Sequence, residues 1–371
     1  MRVAPRRPLS NARDGARGTS LHSMSQTPIH WADPARATAC AGWLGACAPQ
    51  LQLAPDTLRA ASADASFRRY LRVDGGGGRS FIVMDAPPAQ ENCGPFVQVA
   101  ELLHQAGLHT PRVLAWDEAQ GFMLLDDLGQ QLFLAALRDA PAAEADALMR
   151  DAISALVQMQ LRADASALPA YDDALLRREV ELFPTWCVER EFGIRWNADQ
   201  QALWTSVSQQ LIDSALAQPT VFVHRDWMPR NLMVSTPNPG VLDFQDAVRG
   251  PIAYDMASLL RDAFISWEEE RELDWAVRYW QQARTAGLRV DEDFGEFWRQ
   301  LEWMGLQRHL KVLGIFCRLK HRDGKPSYSA DLPRFFAYAT KVALRYRPLA
   351  PLLRLIEPMS GPMTQTGFSL R

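Results

Sequence analysis

The sequence has no apolar run that approaches the roughly 18 to 20 residues of a membrane-spanning helix, so no such span is expected. It holds five cysteines (Cys40, Cys47, Cys93, Cys187 and Cys317), an odd number at irregular spacing and without a C-x-x-C pair. That usage argues against a disulfide framework or a zinc site and fits a reducing cytoplasm. Neither sign of charge dominates: the formal net charge is −3, so a nucleic-acid or membrane partner is not expected. There is no G-x-G-x-x-G run; Gly75-Gly76-Gly77-Gly78 reads as a hairpin connection. The first twenty residues lack an apolar stretch and carry Arg2, Arg6, Arg7, Arg13 and Arg17 against Asp14, which excludes a secretory signal. Two readings of that segment stand, an Arg-rich transit peptide or a start codon placed before Met24, and both predict disorder over residues 1–26.

The most informative stretch is Val221-Phe222-Val223-His224-Arg225-Asp226-Trp227-Met228-Pro229-Arg230-Asn231-Leu232-Met233-Val234, followed by Gly240-Val241-Leu242-Asp243-Phe244-Gln245-Asp246. Short apolar strand-like runs bracket a polar loop, and a third delivers Asp243. Taken singly, Asp and Asn are ordinary turn residues. Taken together, this spacing suits phosphoryl transfer, which needs a group to orient the attacking hydroxyl and oxygen ligands for a metal on the nucleotide phosphates. Asp226 is the candidate catalytic residue. Asn231 and Asp243 are the candidate magnesium ligands, since one amide and one carboxylate suffice for an ion that keeps several waters.

These residues resemble the protein-kinase-like signature H-R-D-x-x-x-x-N followed by D-F-G. Here the runs are His224-Arg225-Asp226-Trp227-Met228-Pro229-Arg230-Asn231 and Asp243-Phe244-Gln245. No Ala-Pro-Glu follows. The run Asp243 to Asp262, with Gly250-Pro251, Tyr254-Asp255 and Ala257-Ser258-Leu259, resembles the aminoglycoside phosphotransferase family of small-molecule kinases. That resemblance implies ATP and Mg2+ as cofactors and structural roles at the site for His224 and Asp255.

In chain order, a helix is expected over 35–47 and a strand through Phe67 to Val73. Between them Ala63-Asp64-Ala65-Ser66 stands where the family has its phosphate loop. Ser66 is a candidate phosphate contact, and an ordinary hairpin turn reads equally well. Ser80 to Asp85 is the next strand. Protein kinases carry a lysine there; this strand has none, and Val83 or Met84 fills the slot. A helix over 96–106 follows, with Glu101 read as solvated or structural. Two strands, 113–116 and 121–125, lead into a hinge at Asp126-Asp127-Leu128-Gly129, which nominates Leu125 and Asp127 for the nucleotide. Helices are then expected over 142–161, 173–191, 198–217, 268–286, 294–319 and 332–346, and a fraying tail beyond 357.

The expected fold class is α+β: a two-lobed protein-kinase-like fold with a small β-rich N-lobe (27–127) and a large helical C-lobe (128–356). For the acceptor, the basic run from Arg318 to Lys325 speaks against cationic substrates, although basic residues also favour a last helical turn. Phe81 to Pro88, Leu182 to Trp186, Leu242 to Val248 and Arg322-Asp323-Gly324-Lys325 look like the anomeric N-acetylmuramate/N-acetylglucosamine kinases of bacterial cell-wall recycling. That resemblance implies a small-molecule amino sugar as partner. Trp186 is then a candidate stacking platform, and Arg318 or Arg322 a candidate neighbour of a lactyl carboxylate. The competing expectations are a kinase for an aminoglycoside or amino alcohol, and a nucleotide-binding pseudokinase.

Overall fold

The structure, a computed structural model, describes residues 29, 31, 33–62 and 68–360. Helix α1 (Pro34–Leu51) begins where the Asp33 carboxylate accepts the Ala35 N–H at 2.9 Å and a proline takes the first helical position. Strands β1 (Ala54–Ser62), β2 (Arg69–Asp74), β3 (Ser80–Asp85), β4 (Val113–Asp117) and β5 (Phe122–Asp126) form one antiparallel sheet in the order β1-β2-β3-β5-β4. The two-residue side-chain period gives it two apolar faces. Leu71, Val73, Phe81, Val83, Phe122 and Leu124 pack on α1; Met84, Met123 and Leu125 join the main core. Helix α2 (Gly94–Gln105) lies on that second side, with Phe96, Val99, Ala100 and Leu103 buried.

Beyond the sheet the chain is mostly helical, as the α+β reading requires. It contains α3 (Phe133–Arg138), α4 (Ala142–Arg162), α5 (Asp173–Val180), α6 (Ala198–Leu216), α7 (Tyr254–Leu260), α8 (Glu269–Ala286), α9 (Phe294–His321), α10 (Leu332–Arg345) and α11 (Pro351–Ser360). Two small ribbons interrupt them: β6 (Thr220–Val223) pairs with β9 (Val248–Pro251), and β7 (Leu232–Met233) with β8 (Gly240–Val241).

Two expectations are corrected, and one element was not anticipated. The single helix expected over 173–191 is two pieces, α5 and a wider-wound segment Phe183–Glu191. Pro184 lacks an N–H, and its ring would clash with the carbonyl four residues back, so the α pattern cannot continue through it. The backbone answers with five-residue bonds such as Phe192 N–H to the Cys187 carbonyl at 3.2 Å. The tail expected to fray beyond 357 remains helical to Ser360, because Leu352, Leu355, Ile356 and Met359 form a buried face on α11. The unanticipated element is strand β1 (Ala54–Ser62), whose Ala, Asp and Thr content is unlike that of a typical strand.

Helix α9 runs through the middle of the helical lobe. A Cβ on Gly314 would stand 2.4 Å from the Leu182 carbonyl carbon and oxygen, so only glycine permits this close approach of α9 to the Leu182 turn.

Candidate active site

The catalytic-loop sequence lies between β6 and β7. Its geometry is set from below by Asp255, at the start of α7. The buried Asp255 carboxylate accepts the backbone N–H of His224 at 2.7 Å and of Arg225 at 3.0 Å. Burial pushes that carboxyl up to about 7, with the two backbone donors working against the shift. Arg225 adopts φ 75°, a left-handed conformation that side-chain-bearing residues seldom hold unless their surroundings fix it. The fixing contacts are visible: Arg225 pairs with Glu179 of α5 and donates to the Asp246 carbonyl at 3.2 Å.

His224 is fully buried, and burial pushes its imidazole down to about 4, so it is neutral at ordinary pH. Its Nδ1 accepts the Asp226 backbone N–H at 3.2 Å, and its ring packs edge-on to Trp227 at 5.5 Å. His224 thus holds the loop backbone and leaves the Asp226 side chain partly exposed.

A short turn returns the chain to the metal-ligand candidates. Met228 N–H bonds to the Asp226 carbonyl at 2.9 Å, and Asn231 N–H to the Met228 carbonyl at 2.8 Å. The Asn231 amide nitrogen then donates to the Asp226 carbonyl at 3.0 Å and to Asp243 Oδ2 at 3.2 Å. Gln245, where protein kinases have glycine, donates to Asp243 Oδ1 at 2.8 Å. Asp243 itself has φ 62°. Phe244 is fully buried, with its ring 4.8 Å from that of Phe96 on α2, which ties Asp243 to the N-terminal lobe. The structure therefore brings Asp226, Asn231, Asp243, His224 and Asp255 together. An amide oxygen and a carboxylate at this spot are the hard donors that magnesium takes, so the residues fit that ion.

On the sheet side, Leu125 is buried in the main core. The Asp127 carboxylate is not aimed at a ligand: Arg72 forks onto it at 2.5 and 3.0 Å, and the Ser80 hydroxyl donates at 2.6 Å. Arg72 also donates to the Gly129 carbonyl at 2.7 Å, so the Asp127 side chain braces the hinge. Ser66 lies outside the described residues. Of the two candidates for the lysine slot, Val83 faces α1 and Met84 faces the main core. Arg68, just before β2, pairs with Glu91 at 3.1 Å. Glu101 accepts an exposed bond from Gln105 at 2.8 Å, as its solvated reading requires.

Among the described residues the acceptor-side candidates make no hydrogen bond or ion pair with this cluster. Trp186 is partly buried on the Phe183–Glu191 segment, packed against the core. Arg322 is exposed and pairs with its neighbour Asp323 at 2.7 Å. Arg318 is partly buried, and burial followed by the Arg322 charge lowers its pKa. Both arginines stand at the end of α9, whereas the middle of that helix faces the catalytic loop.

That middle supplies residues the sequence reading missed. Lys311 donates to Glu179 Oε1 at 3.0 Å and to the Tyr254 hydroxyl at 3.2 Å, and Tyr171 also bonds to Glu179. Burial works to raise the Glu179 carboxyl, but the Lys311 and Arg225 charges hold it below the usual range. Arg308, one turn earlier, approaches Met228 Sδ at 3.8 Å. A signal was present: Phe297, Leu301, Met304, Arg308 and Lys311 repeat at intervals of four and three, so two cations occupy an apolar stripe.

A two-lobed protein-kinase-like fold with this loop defines a phosphotransferase. The chain belongs to the phosphotransferase enzyme family, whose pattern matches residues 57–296. It is 57% identical over 305 residues to a protein of Pseudomonas putida named N-acetylmuramate/N-acetylglucosamine kinase, covering 82% of this chain and 89% of that one. A Pseudomonas aeruginosa protein of the same name is 50% identical over 324 residues, covering 85% of this chain and 95% of that one. Among solved structures it is similar to the macrolide 2'-phosphotransferase MphH of Brachybacterium faecium, with a TM-score of 0.55, 14% identity, and coverage of 78% of this chain and 97% of that one.

Proposed function

We propose that this chain transfers the γ-phosphate of ATP to the anomeric C1 hydroxyl of N-acetylmuramate and N-acetylglucosamine. The observation that carries the reading is the coincidence of the Asp226, Asn231 and Asp243 geometry with near-full-length similarity, at 50% identity and above, to two proteins that bear that substrate pair in their name.

The nucleotide is assigned to the lobe of residues 27–127 and its hinge, with adenine against Leu125 and the backbone around Asp127. The acceptor is assigned to the helical lobe of residues 128–356. In the reaction the sugar C1 oxygen bonds to the γ-phosphorus as the bond from that phosphorus to the β,γ-bridging oxygen breaks. The C1 hydroxyl proton passes to the Asp226 carboxylate, and ADP departs with the electron pair of the broken bond. Asn231 and Asp243 would hold magnesium, which when bound neutralises charge on the nucleotide phosphates. An anomeric hydroxyl is more acidic than an ordinary alcohol, so Asp226 needs little basicity. Its placement contributes most, and the Asp255 and His224 contacts fix that placement.

The test is ATP turnover by purified protein with magnesium, offered N-acetylmuramate, N-acetylglucosamine, kanamycin or choline in turn. Turnover on both N-acetyl sugars supports the reading. Turnover confined to kanamycin or choline, or ATP binding without turnover on any of the four, overturns it.

A further inference from the structure

Arg308 is 5% exposed, yet among the described residues it makes no ion pair within 4.0 Å. Other buried cations nearby are paired: Arg261 with Glu302 at 2.9 Å and Glu272 at 3.4 Å, and Lys311 with Glu179 at 3.0 Å. The Arg308 Nε donates to nothing, and the guanidinium reaches only Met228 Sδ at 3.8 Å and the face of Tyr254 at 5.9 Å. Burial opposes its charge, but Tyr254, Asp226 and Asp262 more than offset that, so the guanidinium stays ionised. Neighbouring charges hold the guanidinium ionised, but its Nε is a buried donor without an acceptor, and such a donor beside a catalytic loop calls for a ligand.

The position selects the ligand. Met228 is two residues past Asp226, so Arg308 lies beside the catalytic loop, within reach of the Asp226 charge. A sugar that carries a carboxylate on the substituent at C3 brings that charge several ångströms from its anomeric oxygen. Beside Arg308 such a carboxylate would feel the Asp226 and Asp262 charges, which have the same sign, and would need the guanidinium to offset them. Arg318 and Arg322 lie ten and fourteen residues on, about 15 and 21 Å further along the axis of α9 and away from Met228.

Resting on the sugar-kinase reading, we propose that Arg308 is the seat for the acceptor's carboxylate and so sets the preference between the carboxylated and the neutral amino sugar. A guanidinium fork grips a carboxylate through two parallel bonds, with geometry as well as charge.

The test compares kcat/KM for N-acetylmuramate with kcat/KM for N-acetylglucosamine. In Arg308→Gln that ratio falls about 30-fold or more, chiefly through the KM for N-acetylmuramate. Arg308→Lys recovers part of it, because the charge returns without the fork. An unchanged ratio, with both sugars losing equally, overturns the proposal and places Arg308 in service of Asp226 or the transferred phosphoryl group. An arm that needs no substitution uses wild-type protein with the methyl ester of N-acetylmuramate: the ester loses a similar factor against the free acid, and an ester used as well as the acid overturns the proposal. Wild-type protein that turns over neither sugar defeats the underlying reading, a result distinct from either outcome for the ratio.

Discussion

The ring of Phe96, on α2, stands 4.8 Å from the ring of Phe244, the residue that follows Asp243. One apolar contact thus joins the nucleotide-side lobe to the loop that carries a metal-ligand candidate. Both rings are buried, with Phe96 at 4% exposure and Phe244 fully covered. Phe96→Ala is expected to cost about 3 to 5 kcal/mol of stability, the range for removing a core phenylalanine. It should also raise the magnesium concentration needed for half-maximal turnover, because Asp243 loses its support. Thermal unfolding and a magnesium titration check the two effects; loss of stability with an unchanged magnesium requirement would mean the contact does not position Asp243.

Asp226→Asn should slow sugar phosphorylation by about 10²- to 10⁴-fold, the range for a positioned proton acceptor. Binding of a fluorescent ATP analogue should be retained, since the loop backbone is held by Asp255 and His224 rather than by the Asp226 side chain. A variant that keeps most of its rate would remove Asp226 from the reaction.

Asp243→Ala should abolish the magnesium dependence of nucleotide binding along with turnover. Asn231→Ala should act more mildly on the ion but also loosen the loop, because its amide bridges the Asp226 carbonyl and Asp243. Isothermal titration of Mg-ATP into each variant separates them. Magnesium-dependent binding that survives in Asp243→Ala would reassign the metal site.

The stability of the fold should carry a trace of His224. Burial lowers its pKa from 6.5 to about 4, so on acidification the unfolded chain takes up a proton that the folded chain refuses. The contribution of His224 is complete above pH 6.5 and is lost as pH falls toward 4. The stability gap between wild type and His224→Gln should therefore narrow over that window by on the order of 3 kcal/mol. Denaturant melts at pH 7.5, 5.5 and 4.5 measure it, and a constant gap would contradict the buried neutral state.

The legible parts of this molecule were those whose chemistry is local in the chain. His224 to Asn231 and Asp243 announce themselves by spacing, because one loop and one short ribbon bring them together. The two lobes follow from alternation giving way to helical period. What stayed hidden depends on distant packing. Asp127 reads as a hinge residue facing a nucleotide, yet Arg72, 55 positions earlier, takes up its carboxylate. Glu179, Arg225 and Lys311 meet only because α5, the catalytic loop and α9 converge, with a separation of 132 positions between Glu179 and Lys311. The basic run near Arg322 drew attention because it is contiguous, while Arg308 sat unmarked among leucines. A charge on an apolar stripe was the better clue.

The proposed reaction delivers phosphate to the anomeric oxygen. The most direct measurement is phosphorus–proton correlation NMR of the product formed from N-acetylglucosamine, ATP and magnesium. The expected product is a single phosphomonoester whose phosphorus couples to the anomeric proton, with the reducing end of the sugar lost. A phosphorus coupled instead to the C6 methylene protons, with the reducing end intact, would contradict it.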